Sequence, residues 1–264
     1  MAGRRGVVST PAAPGAAPAK AIGTAHPQPY VREELDAKSM HFSMSAIQSR
    51  MQIRRPDALE LDYTRTMMAF LLFRPQPASV AMIGLGGGSL AKFCHRHLPR
   101  TALTVVEINP HVIALREAFC IPPDGPGFRV LLADGARFVR ETDARFDVLL
   151  IDAFDAHGLP AALGTQRFYD DCLDVLAPGG LFVANLHAGA PELGAHLERM
   201  RRSFGHPVLR AGDRDGANCV VFAGKGGALE PAAPGPLRRP PGLASDAWDQ
   251  LRGAFTRVRA ALAA

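Results

Sequence analysis

The chain has 264 residues, 47% of them hydrophobic, and a formal net charge of +5 at pH 7. That length suits one α/β domain with tails. Its apolar runs, such as Val148-Leu149-Leu150-Ile151, fall far short of the ~20 residues a helical membrane span needs, so no membrane partner is expected. The positive excess sits in Arg4, Arg5, Lys20, Arg199, Arg201, Arg202, Arg238 and Arg239, with no basic stripe interleaved with aromatics, and nucleic acid is not an expected partner either. Arg4 and Arg5 have no apolar core behind them, so no secretory signal is expected and the reading is a soluble, cytoplasmic protein. Cys94, Cys120, Cys172 and Cys219 make no CxxC pair and lie in or beside apolar stretches. They read as buried, reduced thiols, with no metal site and no disulfide framework.

Residues 1–29 are rich in Ala, Pro and Gly and carry almost no large apolar side chain, which predicts a disordered tail. Over 30–61, Met40, Phe42, Met44, Ile47, Met51 and Ile53 recur at spacings of roughly two or three, as in a small β segment. A nucleoside-binding catalytic domain is expected over 62–228. It opens with a helix over 63–73, stopped by Arg74-Pro75-Gln76-Pro77. Strands are predicted at 80–84, 102–107, 129–132, 147–152, 180–186, 208–211 and 218–223. Amphipathic stretches separate the early ones. Leu90, Phe93, Cys94 and Leu98 share a helical face; Asn109-Pro110 supplies an N-cap and first-turn proline for a helix that carries Val112, Leu115 and Phe119. His95 and His97 are expected on the surface. The alternation of strand and helix predicts a mainly parallel seven-stranded sheet covered on both sides. A Pro-rich linker follows over 229–243, then an amphipathic helix over 244–264 with Ser245 as cap and Trp248, Leu251, Phe255, Val258 and Leu262 on one face. Docking back on the domain is the expected role of that helix, and binding a partner is the alternative.

Chemistry concentrates at the carboxyl ends of the predicted strands, where open α/β sheets bind ligands. The first strand runs into Gly84-Leu85-Gly86-Gly87-Gly88-Ser89, a turn whose glycines allow a sharp bend and a close approach of ligand. The second ends in Glu107, 23 residues after Gly84, placed to accept both hydroxyls of a ribose. A Rossmann dehydrogenase shares these two elements, but its last fingerprint glycine is replaced here by the Leu90-Ala91 region. The third strand ends in Asp134-Gly135, where a carboxylate can accept an adenine amino proton. The fourth ends in Asp152 and Asp155. His157 reads as an exposed loop histidine, and Tyr169 either lines the pocket or packs on the sheet.

The stretch from about 40 to 190 resembles the spermidine synthase (polyamine aminopropyltransferase) family. The matching pieces are Gln48-Ser49-Arg50-Met51, Tyr63 leading a helix, the GLGGG loop, Val106-Glu107-Ile108, Asp134-Gly135, Asp152 with Asp155, and Phe168-Tyr169 with Leu176-Ala177-Pro178-Gly179-Gly180. The resemblance implies a Rossmann-like domain of the class I methyltransferase type behind a small N-terminal β segment, and a homodimer. It implies no permanently bound cofactor and no metal. The co-substrate would be decarboxylated S-adenosylmethionine or S-adenosylmethionine, held by Gly84, Gly86, Gly87, Gly88, Glu107, Asp134, Gly135 and Gln48. The other substrate would be an amine, with Asp155 as proton acceptor and Asp152 as amine-binding acid. The sequence departs from the family at Ser89, where an acid is usual, at Asn109, at Thr64-Arg65 and at Ala156. These departures leave two alternatives open: a methyltransferase using intact S-adenosylmethionine, whose carboxylate tolerates Ser89 better than an acid, or a non-catalytic nucleoside-binding relative.

Overall fold

The computed structural model describes residues 26–43, 47–154, 158–229 and 236–263. Three short strands come first: β1 (Tyr30–Glu33), β2 (Ala37–His41) and β3 (Ile47–Gln52). They pair antiparallel in the order β1-β2-β3. The register of β2 against β3 slips between Met40↔Ser49 and His41↔Ile47, so Gln48 occupies a bulge. Ahead of β1, Pro29 is buried and the Pro27 carbonyl accepts a bond from Asn109 Nδ2 at 2.8 Å. The end of the stretch that composition assigns to the tail is thus packed against the domain.

The main sheet holds β4 (Ser79–Ile83), β5 (Ala102–Glu107), β6 (Phe128–Leu132), β7 (Phe146–Ile151), β8 (Leu176–His187), β9 (Leu209–Gly212) and β10 (Asn218–Gly224). Their order is β6-β5-β4-β7-β8-β10-β9. The pairs from β6 to β8 are parallel, and β10 runs antiparallel to both β8 and β9. All seven predicted strands are present. In β7 all six residues are buried, as a central parallel strand covered on both faces requires. Strand order reverses between β4 and β7, which opens a crevice at their carboxyl ends.

Helices cover both faces. On one side α1 (Asp62–Met67), α2 (Ser89–His97), the short α3 (Pro110–Ala114) and α7 (Ser245–Ala263) contribute to one core cluster. On the other, α4 (Gly135–Glu141), α5 (Gln166–Val175) and α6 (Leu193–Phe204) form a second. The helix expected over 63–73 tightens into a 3-10 segment at Met68–Leu72, and α3 gives way to turns before Phe119. Helix α7 docks back through Ala247, Leu251, Ala254, Phe255 and Val258, all buried.

Two expectations are corrected. His97 is buried, its ring 4.5 Å from that of Phe93 and its Nε2 3.4 Å from Asp57. It occupies the seventh step from Leu90 on the apolar face of α2, so helical periodicity turns it inward. Cys120 is exposed, unlike the other three thiols. It sits in a turn with φ of 55°, between the buried Phe119 and Ile121.

Candidate active site

The glycine loop, Glu107, Asp134, Gly135 and Asp152 lie at or just after the carboxyl ends of β4, β5, β6 and β7. Gly84 leaves β4 with φ of 98°, and a Cβ there would lie 2.1 Å from the Asp152 carbonyl oxygen. Only glycine lets the two strand ends touch this closely. Gly88 caps α2 in the left-handed region at φ of 69°, which swings the chain from loop to helix. Gly86 and Gly87 form the rest of the turn, and Gly87 faces the Ser49 hydroxyl and the Phe119 ring. Strand β3 therefore abuts the loop through Ser49, and the half-buried Gln48 precedes it at the bulge.

Glu107 is buried at the end of β5. Its Oε2 accepts from Leu85 N at 2.9 Å and its Oε1 from Asn109 N at 2.8 Å. The acid ties the glycine loop to the start of α3, while the Asn109 side chain accepts from His111 N. Asp134 caps α4 through a bond from Arg137 N to Oδ1. Gly135 is buried where a Cβ would meet Ile83 at 2.3 Å, so α4 starts hard against β4. Beside these acids, Ile108 and Leu132 are large apolar residues left exposed, at 38% and 48%. Sequence alone assigns neither a role, because a strand-end Ile or Leu is ordinary; the signal is exposure, which only the fold reveals.

Asp152 follows β7, held to β4 by a bond from its backbone N to Ile83 O at 2.9 Å. Its Oδ2 accepts from the Tyr63 hydroxyl at 3.2 Å, and its Oδ1 from Asn185 Nδ2 at 3.2 Å. Burial pushes its pKa up to about 6, against the opposing pull of the bonds from Asn185 and Tyr63. Burial first, then the charge of Asp152, raise the Tyr63 phenol well above its ordinary value, so Tyr63 remains a donor. Asn185, on β8, is absent from the sequence reading, because a single amide inside an apolar strand carries no motif. Asp155 and His157 lie outside the described residues. Tyr169 packs in the core, its hydroxyl 3.0 Å from His196 Nδ1. Arg65, one of the departures from the family, donates to the Leu59 carbonyl and pairs with Asp62, so it serves the turn before α1. A cavity of about 690 Å³ opens beyond the end of β8, lined by Leu159, Leu186, His187, Leu193, His196 and Arg199 among others. It lies on the α5–α6 side, apart from the glycine loop.

Residues 60–200 match the spermine/spermidine synthase domain. The polyamine aminopropyltransferase of Chromobacterium violaceum is 37% identical over 200 residues, which cover 75% of this chain and 77% of that protein. The chain belongs to the spermine/spermidine synthase family. The polyamine aminopropyltransferase of Neisseria meningitidis is 36% identical over 199 residues, 75% of this chain and 76% of the relative. Among solved structures, a probable spermidine synthase from Corynebacterium glutamicum superposes with a TM-score of 0.63 at 24% identity, covering 76% of this chain and 81% of the other. A spermidine synthase in complex with the transition state analogue AdoDATO gives 0.58 at 20% identity, over 84% and 87%. Human methyltransferase-like protein 13 in complex with SAH gives 0.57 at 21%, over 77% and 93%. The two kinds of neighbour share one fold with this member of the family.

Proposed function

We propose that this family member transfers an aminopropyl group from decarboxylated S-adenosylmethionine to an amine, a step of polyamine biosynthesis, in the cytoplasm. The observation that carries the reading is the Asp152 carboxylate, braced by Tyr63 and Asn185 one carbonyl away from Gly84. In this reading Glu107 accepts the ribose hydroxyls, Asp134 the adenine amino proton through the oxygen not used in capping, and Ile108 and Leu132 sandwich the base. The glycine loop and Gln48 border the sulfonium. The acceptor amine arrives as a cation and must lose a proton before it attacks. It then forms a C–N bond to the carbon on sulfur as the C–S bond breaks. The electron pair stays on sulfur, and methylthioadenosine leaves as a neutral thioether. The resemblance gives the proton to Asp155; the geometry and the raised pKa of Asp152 support it in that role, with Asp155 as the second acid toward the amine. Ile47 and Ile53, 49% and 39% exposed on and after β3, support a homodimer through the N-terminal sheet.

Ser89 favours a second reading. It is an uncharged residue at the first position of α2, where the positive end of the helix dipole favours an anion such as the carboxylate of intact S-adenosylmethionine. Parallel calorimetric titrations with decarboxylated S-adenosylmethionine, S-adenosylmethionine and methylthioadenosine separate the readings. Preference for the decarboxylated donor, with methylthioadenosine released when a polyamine is added, is the expected result. Preference for the intact donor moves the assignment to methyl transfer, and no binding of any of the three defeats both.

A further inference from the structure

We propose that Asn185 is a positioning residue of this site: its Nδ2 holds the Asp152 carboxylate in the orientation and charge state that take a proton from the acceptor amine. The inference deepens the function proposed above and rests on it for the identity of the amine.

Asn185 is a polar residue within the buried run Leu181-Phe182-Val183-Ala184-Asn185-Leu186 of β8, and it is 1% exposed. Its backbone partner across the sheet is Val220, in a ladder of apolar pairs. An apolar side chain of similar size would suit this place better, because a buried amide must satisfy both of its polar ends. Asn185 satisfies one. Its Nδ2 bonds Asp152 Oδ1 at 3.2 Å, while its Oδ1 is buried with no partner among the described residues. The amide therefore completes no structural network among them. Its bond among the described residues goes to the acid at the reacting end, and a half-satisfied buried amide is kept at a cost to stability for what that bond does.

What the bond does follows from the charges around Asp152. From α1 comes Tyr63, a hydroxyl donor; from β8, Asn185; from β4, the Ile83 carbonyl, occupied by the backbone N of Asp152. Asp155 and His157 follow in sequence, outside the described residues. No cation contacts Asp152 among the described residues, so the two hydrogen bonds are what opposes the burial that raises its pKa to about 6. Both favour the ionised form. Removing the Asn185 bond leaves the acid more firmly protonated, and a base that is protonated at neutral pH accepts nothing. The bond also fixes the carboxylate plane, since Asn185 and Tyr63 grip different oxygens.

The test uses the full chain and three variants, Asn185→Leu, Asn185→Asp and Asp152→Asn. Carbon-13 NMR of the aspartate carboxyl groups follows Asp152, assigned as the resonance missing from Asp152→Asn. In Asn185→Leu the Asp152 midpoint is expected to rise by about one unit, the size that loss of one bond to a charged carboxylate gives. In Asn185→Asp it rises further, from a like charge alongside. Asn185→Leu is expected to bind methylthioadenosine as the wild type does and, at pH 3.5, where Asp152 is protonated in both proteins, to melt no lower. A purely structural role predicts a lower melting point instead. With polyamine acceptors, the acid limb of kcat/KM moves up by the same amount, so activity near pH 6 falls about fivefold while the plateau at high pH is recovered. An unmoved NMR midpoint in both Asn185 variants overturns the proposal. A moved midpoint with no turnover of any amine by the wild type leaves Asn185 as the residue that sets Asp152 and overturns the proposed reaction instead.

Discussion

Replacing Glu107 with alanine should weaken binding of methylthioadenosine at least about 100-fold. Two hydrogen bonds from ribose hydroxyls to a charged acceptor contribute about 1.5–3 kcal/mol each. Their joint loss is then about 3 kcal/mol at the low end, or two powers of ten in affinity. The structure adds a second cost. Both carboxylate oxygens already accept a backbone N–H, from Leu85 and from Asn109. Alanine leaves these buried donors unpaired at about 1–3 kcal/mol apiece, and the ligand-free protein should melt several degrees lower, at about 2–4 °C per kcal/mol for a chain of this size. Glu107→Gln keeps one acceptor oxygen and should fall between. Calorimetry with methylthioadenosine and with free adenine separates the two effects. If Glu107 holds the ribose, the nucleoside loses far more affinity than the base. A Glu107→Ala protein that binds methylthioadenosine within about twofold of the wild type would falsify the ribose assignment, whatever its melting temperature.

The remaining predictions concern the acids, the loop and the chain's last helix. Asp152→Asn should abolish transfer and leave methylthioadenosine affinity intact. It should also change how stability depends on pH. The folded-state pKa of about 6 lies above the ordinary aspartate value of 3.8, so the penalty for ionising Asp152 in place is absent below about pH 4, grows up to about pH 6 and persists above. The variant should therefore melt higher than the wild type at pH 8 and equally at pH 3.5, and equal melting at both would remove the burial argument. Gly84→Ala should cost about 2–6 kcal/mol, adding strain at positive φ to a clash between two backbones; an unchanged urea midpoint would mean the strands part easily. Asp62 accepts from the Arg214 backbone at 3.0 Å and pairs with Arg257 and Arg65. Asp62→Ala should lose about 1–3 kcal/mol, because the partly buried Arg257 and the Arg214 backbone lose their acceptor, and limited proteolysis should then cut within α7. Resistance equal to the wild type would mean the apolar stripe alone secures the helix.

The strands were legible because parallel strands buried on both faces read as unbroken apolar runs, and β7 is the clearest of them. The glycine loop was legible because the turn after β4 demands glycine at a fixed place, and the position of Glu107 because it closes a strand of apolar residues. Where the reading fell short, side chains answered to partners distant in sequence. His97 went inward because the seventh step on α2 is core, a periodicity weaker to the eye than two polar neighbours. Asn185 acquired meaning only through Asp152, 33 residues earlier in the chain. The same holds for Arg65, a departure from the family motif whose bonds close the turn at Leu59.

The contact between Gly84 and the Asp152 carbonyl makes the glycine loop and the acid one mechanical piece. Neither can shift without moving the other, so in the proposed reaction a seated donor and a correctly aimed carboxylate are a single event. Changes in which amine is accepted must then arise where the chain is not bound by this contact, in the segments after Asp152 and around β3. Drift in those segments can redirect the enzyme toward new acceptors while the donor end keeps its shape.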